Sequence, residues 1–219
     1  PGQYFHNRYD PGTGVATSEE KRGVRLLQPS ELQGAMYFLP TPKSPHGVDI
    51  DPTGEFIVAG GKLATVIPVH SFSRMQQAIS DGAIAETIFG IPVLDYDATI
   101  VGEVQNPGLG PLHTEFDGRG YAYTSVYISS EIVKWSLETF EVVDRIDAYY
   151  SIGHLMLTHG DTRDPQPKYL VGLTKTARVG ERHRHPANVE PHFEHIPRRP
   201  RLVGNDGGFP LCQPVEEAR

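Results

Sequence analysis

Three stretches of the chain repeat one alternation of apolar and polar positions: HGVDIDPTGEFIVAGGK from His46, HTEFDGRGYAYTSVYIS from His113 and HLMLTHGDTRDPQPKYLVGLTK from His154. In each, a histidine opens a short run with the two-residue period of a strand, a turn rich in Gly, Pro and Asp interrupts it, and an aromatic begins the next apolar run. The turns are Asp51-Pro52-Thr53-Gly54, Asp117-Gly118-Arg119-Gly120 and Asp161 to Pro167. Phe56 and Tyr123 each lie ten residues after their histidine, whereas Tyr169 lies fifteen after His154, so the third turn is five residues longer. Lys62 and Lys175 both follow their aromatic by six residues, and the register survives the insertion.

The histidines are separated by 67 and then 41 residues, and a four-stranded propeller blade occupies about 40–50. SFSRMQQAISDG, with Ser73 as a cap before Arg74 and Gly82 behind Asp81, predicts a short helix inserted in the longer interval. After His113 the runs AYTSVYI, EIVKWSL and EVVDRI are separated by Ser-Ser and Glu-Thr pairs, as a meander of antiparallel strands requires. The pattern predicts an all-β fold, a partial β-propeller of three to four blades over residues 24–175. Residues 1–23 fall outside the pattern as a leading segment. Residues 176–219 form an off-pattern tail whose polar, Arg- and Pro-rich character predicts poor order.

Strict alternation places His46, Val48 and Ile50 on one side of their strand and Gly47, Asp49 and Asp51 on the other. In a propeller the innermost strand of each blade lines the channel, so equivalent positions in successive repeats converge on the axis. His46, His113 and His154 are therefore expected to meet in space. A lone buried histidine is more often a hydrogen-bonded core residue than a ligand. Equivalence within the repeat is what moves these three toward one shared metal site, and neutral imidazoles converging without carboxylates or thiols suit copper or zinc, with clusters favouring copper. Gly47, Gly110 and Gly153 suit either a close approach of backbone to a cofactor or a kink at a strand end. Of the two repeat lysines, Lys62 is expected to be solvated, and Lys175, beside the apolar LVGL, to face the site.

Composition narrows the partners. Hydrophobic residues make up 38%, with 23 Gly and 19 Pro, and no apolar run approaches the roughly 18 residues of a membrane span. A net charge of −7 argues against nucleic acid, which needs a clustered excess of Lys and Arg. The single cysteine, Cys212, excludes an internal disulfide and a multi-cysteine metal centre. The segment from Pro1 shows no targeting signal, and the chain is expected to be a piece of a longer protein.

SPHGVDIDPTGEFIVAGGKL, GLGPLHTEFDGRGYAYT with IVKW behind it, and GHLMLTHGD followed by KYLVGLTK resemble nitrous-oxide reductase, over about Gly34 to Lys175. The resemblance implies a seven-bladed propeller carrying a tetranuclear copper-sulfide cluster on seven histidines, where N2O is reduced to N2 and water. By motif, it makes His46, His113 and His154 cluster ligands. Lys175 becomes the lysine that donates a hydrogen bond or proton to the leaving oxygen. Glu190-Pro191-His192 resembles the family's last ligand motif, only 38 residues after His154, and adds His192 as a fourth candidate. The resemblance also implies a periplasmic homodimer fed by a c-type cytochrome or similar donor. The family's dinuclear copper electron-entry site has no counterpart here, since Cys212 alone cannot form it. Ser44 stands where some members place a calcium-ligating asparagine. The isolated chain is expected to be inactive, with open blade edges that invite aggregation. Two other readings are a propeller scaffold with structural histidines, and a hydrolytic propeller of lactonase type with Asp49, Glu115 and Asp117 as calcium ligands.

Overall fold

The computed structural model describes residues 34–160, 162–165 and 167–175, together with the backbone of short strands at 7–10, 15–18 and 211–214. In chain order the elements are β1 (Asn7–Asp10), β2 (Val15–Ser18), β3 (Pro45–Ile50), β4 (Phe56–Gly61), β5 (Val66–Ser71), α1 (Phe72–Asp81), β6 (Ile84–Ile88), β7 (Ile91–Leu94), α2 (Tyr96–Thr99) and β8 (Ile100–Gln105). There follow β9 (Pro111–Phe116), β10 (Tyr121–Val126), β11 (Glu131–Ser136), β12 (Val142–Asp147), β13 (Ile152–Leu157), β14 (Tyr169–Thr174) and β15 (Leu211–Pro214). The all-β expectation holds. The sheets that carry the histidines run β3-β4-β5-β8, β9-β10-β11-β12 and β13-β14-β15, each an antiparallel meander. These are blades of a partial propeller, and β9, the inner edge of the second, packs against both β3 and β13.

The described residues within 41–72 and 100–219 form one compact unit, and those within 1–40 and 73–99 form another. Most of the leading segment 1–23 and of the tail 176–219, His192 included, lies outside the described residues. Within them, β1 pairs with β2, and β15 extends the third blade beside β14. No described helix is long and apolar enough to cross a membrane.

Apolar side chains between neighbouring blades make the core. Val58, Ile67, Val69 and Val104 of the first blade meet Phe116, Ala122, Val126, Val133 and Trp135 of the second. Tyr123 and Ile132 of the second meet Ile152, Leu155, Leu157 and Leu170 of the third. Each fully buried aliphatic or aromatic side chain contributes roughly 1.5–3 kcal/mol of transfer free energy. The indole of the fully buried Trp135 donates from Nε1 to Thr124 Oγ1 at 2.9 Å, and that hydroxyl pairs with Thr114 Oγ1 at 2.8 Å. The polar edge of the indole is thus satisfied inside the core, as burial demands.

The repeated turns form for one reason. The buried Asp51 carboxylate accepts the Thr53 and Phe56 amides at 3.1 and 2.8 Å, and the buried Asp117 accepts the Arg119 and Tyr121 amides at 2.8 and 3.0 Å. Each aspartate folds its own hairpin by pairing amides the ladder leaves over.

The interval between β5 and β8 holds more than the predicted helix. α1 begins at Phe72, so Ser73 sits inside its first turn instead of capping it, and Gly82 with φ 67 ends it as expected. Beyond it lie the β6–β7 hairpin and α2. The hairpin turns on Phe89 and Gly90, both at positive φ (53° and 78°), a geometry that sequences usually announce with Asn or Asp before the glycine. Phenylalanine in that place gives no such signal.

Candidate metal centre

Every innermost strand carries a β-bulge at or beside its histidine. In the first blade His46 pairs with Gly60 and Val48 with Ala59, which leaves Gly47 as the extra residue. In the second, Leu112 and His113 stand together opposite Ser125, between the Thr114–Thr124 and Pro111–Val126 pairs. In the third, Gly153 and His154 are accommodated between the Ile152–Thr174 and Leu155–Gly172 pairs. A bulge re-aims one side chain and shifts the phase of all that follow.

That shift corrects the strict alternation expected from sequence. The extra residue brings His46 into phase with Asp49, both half-buried, while Val48 and Ile50 turn the other way and remain 65% and 59% exposed. Gly47 permits this twice over. Its φ is 67°, and a methyl group there would run into the Leu112 carbonyl and come within 3.1 Å of His113 Nδ1. The close approach at Gly47 is therefore to the next blade's backbone. At Gly110 it is to the Lys62 carbonyl, 2.9 Å from a built Cβ, and at Gly153 to the stem of Lys175.

The three histidines come together. The His113 ring stacks on that of His154 with centroids 4.4 Å apart and planes at 27°, and meets the His46 ring edge-on at 4.9 Å and 88°. Lys175 joins them, with Nζ 2.9 Å from His46 Nε2. An ammonium only donates, so this contact puts the His46 lone pair on Nε2 and the ring proton on Nδ1.

Burial, then Lys175, His113, Lys62 and His154, push the His46 pKa down to about 4. His154 is lowered by burial, His113 and Lys175, against an opposing pull from Asp49. Burial and Lys62 lower Lys175. Burial and the neighbouring groups thus favour neutral His46 and His154, the form in which an imidazole holds a lone pair for a metal.

His113 has a carboxylate neighbour that sequence reasoning did not assign to it. Asp49 Oδ1 lies 3.7 Å from His113 Nδ1, and its Oδ2 accepts the Thr114 amide at 2.7 Å. On the far side of the ring, His113 Nε2 is buried with no hydrogen-bond partner among the described residues, and so is His46 Nδ1. A buried imidazole nitrogen without a partner is expensive, whether it is an N–H that lacks an acceptor, as at His46 Nδ1, or a nitrogen that a metal could meet, as at His113 Nε2. The donor set fits copper, for these are imidazole nitrogen donors. Among the described residues no three His, Cys, Asp or Glu side chains form a ready cage for one metal ion.

Lys62 departs from its expected solvated place. It is half-buried and close enough to lower both His46 and Lys175, a position readable only once the first and third blades are set beside the second. Among the described residues, the lactonase-type set of Asp49, Glu115 and Asp117 does not form a group that could hold a metal ion. His192 lies outside the described residues.

The family model described as "Nitrous oxide reductase propeller repeat" matches residues 145–185, the stretch that holds His154 and Lys175. Nitrous-oxide reductase of Stutzerimonas stutzeri is 33% identical over 148 residues, covering 63% of this chain and 22% of that protein. The Ralstonia nicotianae enzyme of that name is 36% identical over 144 residues, with 61% and 21% covered. The Cupriavidus necator one is 32% identical over 220 residues, with 80% and 31% covered. The chain thus spans between a fifth and a third of the length of these relatives. Among solved structures, Kuenenia stuttgartiensis hydrazine synthase superimposes with a TM-score of 0.44 at 16% identity, over 63% of this chain and 31% of that one, too distant to carry an argument.

Proposed function

We propose that this chain, which shares its propeller blades with nitrous-oxide reductases, contributes His46, His113 and His154 to a histidine-ligated tetranuclear copper-sulfide cluster at which the full-length protein reduces N2O to N2 and water. One observation supports the reading above the others: three imidazoles from three successive blades, each on a bulge of its innermost strand, lie ring against ring. When bound, the cluster would supply electrons from several metals together to an inert, weakly coordinating substrate.

The chain's own residues provide the surroundings. His113 offers a buried Nε2 with no partner among the described residues. Lys175, which in the metal-free protein lies at His46 Nε2, would keep a proton within reach of the histidine cluster and supply the cation that a developing oxide requires.

The same reading extends to the whole protein: a periplasmic homodimer, an electron-entry domain with dinuclear copper outside this chain, a c-type cytochrome or similar donor, and calcium near Ser44. Residues beyond the described ones, His192 among them, would complete the donor set.

Copper analysis tests it. Full-length protein carrying this chain should bind copper and sulfide in cluster proportion, and His113→Ala should abolish assembly while leaving the blades folded. Unchanged copper in His113→Ala would show that the histidines only pack, as in a scaffold propeller.

A further inference from the structure

We propose that Asp49 is a positioning residue that holds His113 in the tautomer protonated on Nδ1 and so leaves Nε2 as the electron-pair donor. The inference rests on the copper reading for its consequence, and on geometry alone for the lock itself.

The carboxylate is anchored where it can act. The bulge at Gly47 turns Asp49 toward β9, and there Oδ2 accepts the amide of Thr114, the residue next to His113, at 2.7 Å. Asp49 is therefore tied to the strand whose side chain it orients. Its other oxygen stands 3.7 Å from His113 Nδ1, beyond hydrogen-bond length yet close enough for charge to favour an N–H there over a lone pair. The rest of the ring is fixed by other elements. The His113 amide donates to Ser125 Oγ at 3.3 Å, His154 covers one face, and His46 meets the ring edge-on. With Nδ1 committed, Nε2 is the remaining donor atom, and it is the buried nitrogen that has no partner among the described residues. Carboxylates commonly orient ligating histidines in this way, and their loss costs about 10- to 100-fold in metal affinity.

Asp49→Asn discriminates a positioning role from a merely structural one. The amide oxygen can still accept the Thr114 amide, but the NH2 group then faces His113 Nδ1, where a donor repels an N–H and favours a lone pair. Long-range proton–nitrogen correlation spectra of the full-length, metal-free protein, labelled with 15N-histidine, read the tautomer directly. The expected result is Nδ1–H in the parent, a shift toward Nε2–H in Asp49→Asn, and restoration in Asp49→Glu. A parent that carries the proton on Nε2, or an Asp49→Asn protein with an unchanged spectrum, overturns the proposal. Copper titration of the same proteins separates the two readings. A roughly 10- to 100-fold weaker affinity in Asp49→Asn supports both. A parent with the expected tautomer that takes up no copper sinks the copper reading and leaves the Asp49–His113 lock standing.

Discussion

Lys175 Nζ lies 2.9 Å from His46 Nε2, although 129 residues separate them along the chain. The contact joins the end of β14 in the third blade to β3 of the first. It gives the site a cation whose lone-pair acceptor is the same nitrogen a metal would seek. In the metal-free protein the lysine satisfies that nitrogen, and burial together with the neighbouring groups holds the imidazole neutral.

The first consequence is a pH dependence with a defined sign. The unfolded chain protonates His46 near 6.5, whereas the folded chain resists until about 4. Between those values the unfolded state binds more protons, so the stability that depends on a neutral His46 is present above about 6.5 and is lost as pH falls toward 4. The lowered His154 acts in the same direction. Urea midpoints of metal-free protein should fall between pH 7 and pH 5, and His46→Gln should flatten that fall. An equal fall in His46→Gln would place the titration elsewhere.

Gly47→Ala should destabilise strongly. The left-handed φ of 67° and the collision with the Leu112 carbonyl add, for an expected loss of about 2–4 kcal/mol. Gly54, at φ 79° with nothing within 4 Å of a built Cβ, isolates the backbone contribution, so Gly54→Ala should cost about 1–2 kcal/mol. Denaturant unfolding of both variants provides the comparison, and equal losses would mean that the blade-to-blade contact at Gly47 carries nothing.

How much of this is legible in the sequence depends on what encodes it. The blades are legible because alternation and the Asp51 and Asp117 turns are local, and the convergence of the histidines follows from repeat equivalence. The direction in which His46 points is not, because a bulge at Gly47 is a register relation with Gly60 and Ala59, residues on another strand. Asp49 was placed on the wrong face for the same reason, and its tie to Thr114 spans two blades. Lys62 reads as an ordinary strand-end charge until the third blade brings Lys175 near it. The β6–β7 hairpin stayed hidden because Phe89 occupies a turn position that normally calls for Asn or Asp.

Trp135→Phe tests how the core reaches the site. The indole donates to Thr124 Oγ1, Thr124 pairs with Thr114, and the Thr114 amide holds Asp49. Losing the indole N–H leaves a buried hydroxyl pair with one donor fewer, at an expected cost of about 1–3 kcal/mol in thermal or urea unfolding. Thr114 Oγ1 can still pair with Thr124, so the Asp49 contact should survive and the His113 resonances should shift little. A large His113 shift would mean that the blade core, and not Asp49 alone, sets the ring.

Gly153→Ala separates the position of Lys175 from its chemistry. Gly153 lies beneath the lysine stem, with a built Cβ 2.8 Å from Cδ and closer still to Cγ. Its φ is not among the positive ones, so alanine suits the backbone and the flexible stem is what must move. Moving the stem draws Nζ away from His46 Nε2 without removing the ammonium from the chain. The His46 pKa should then rise from about 4 part of the way toward 6.5 and no further, because burial, its largest cause, is untouched. Lys175→Met sets the scale, since it removes the charge altogether while retaining most of the stem. NMR titration of the His46 ring in the metal-free parent and the two variants should place Gly153→Ala between the others. If Gly153→Ala titrates like the parent while Lys175→Met does not, the stem has found another path over residue 153, and the glycine is not what sets the lysine's reach.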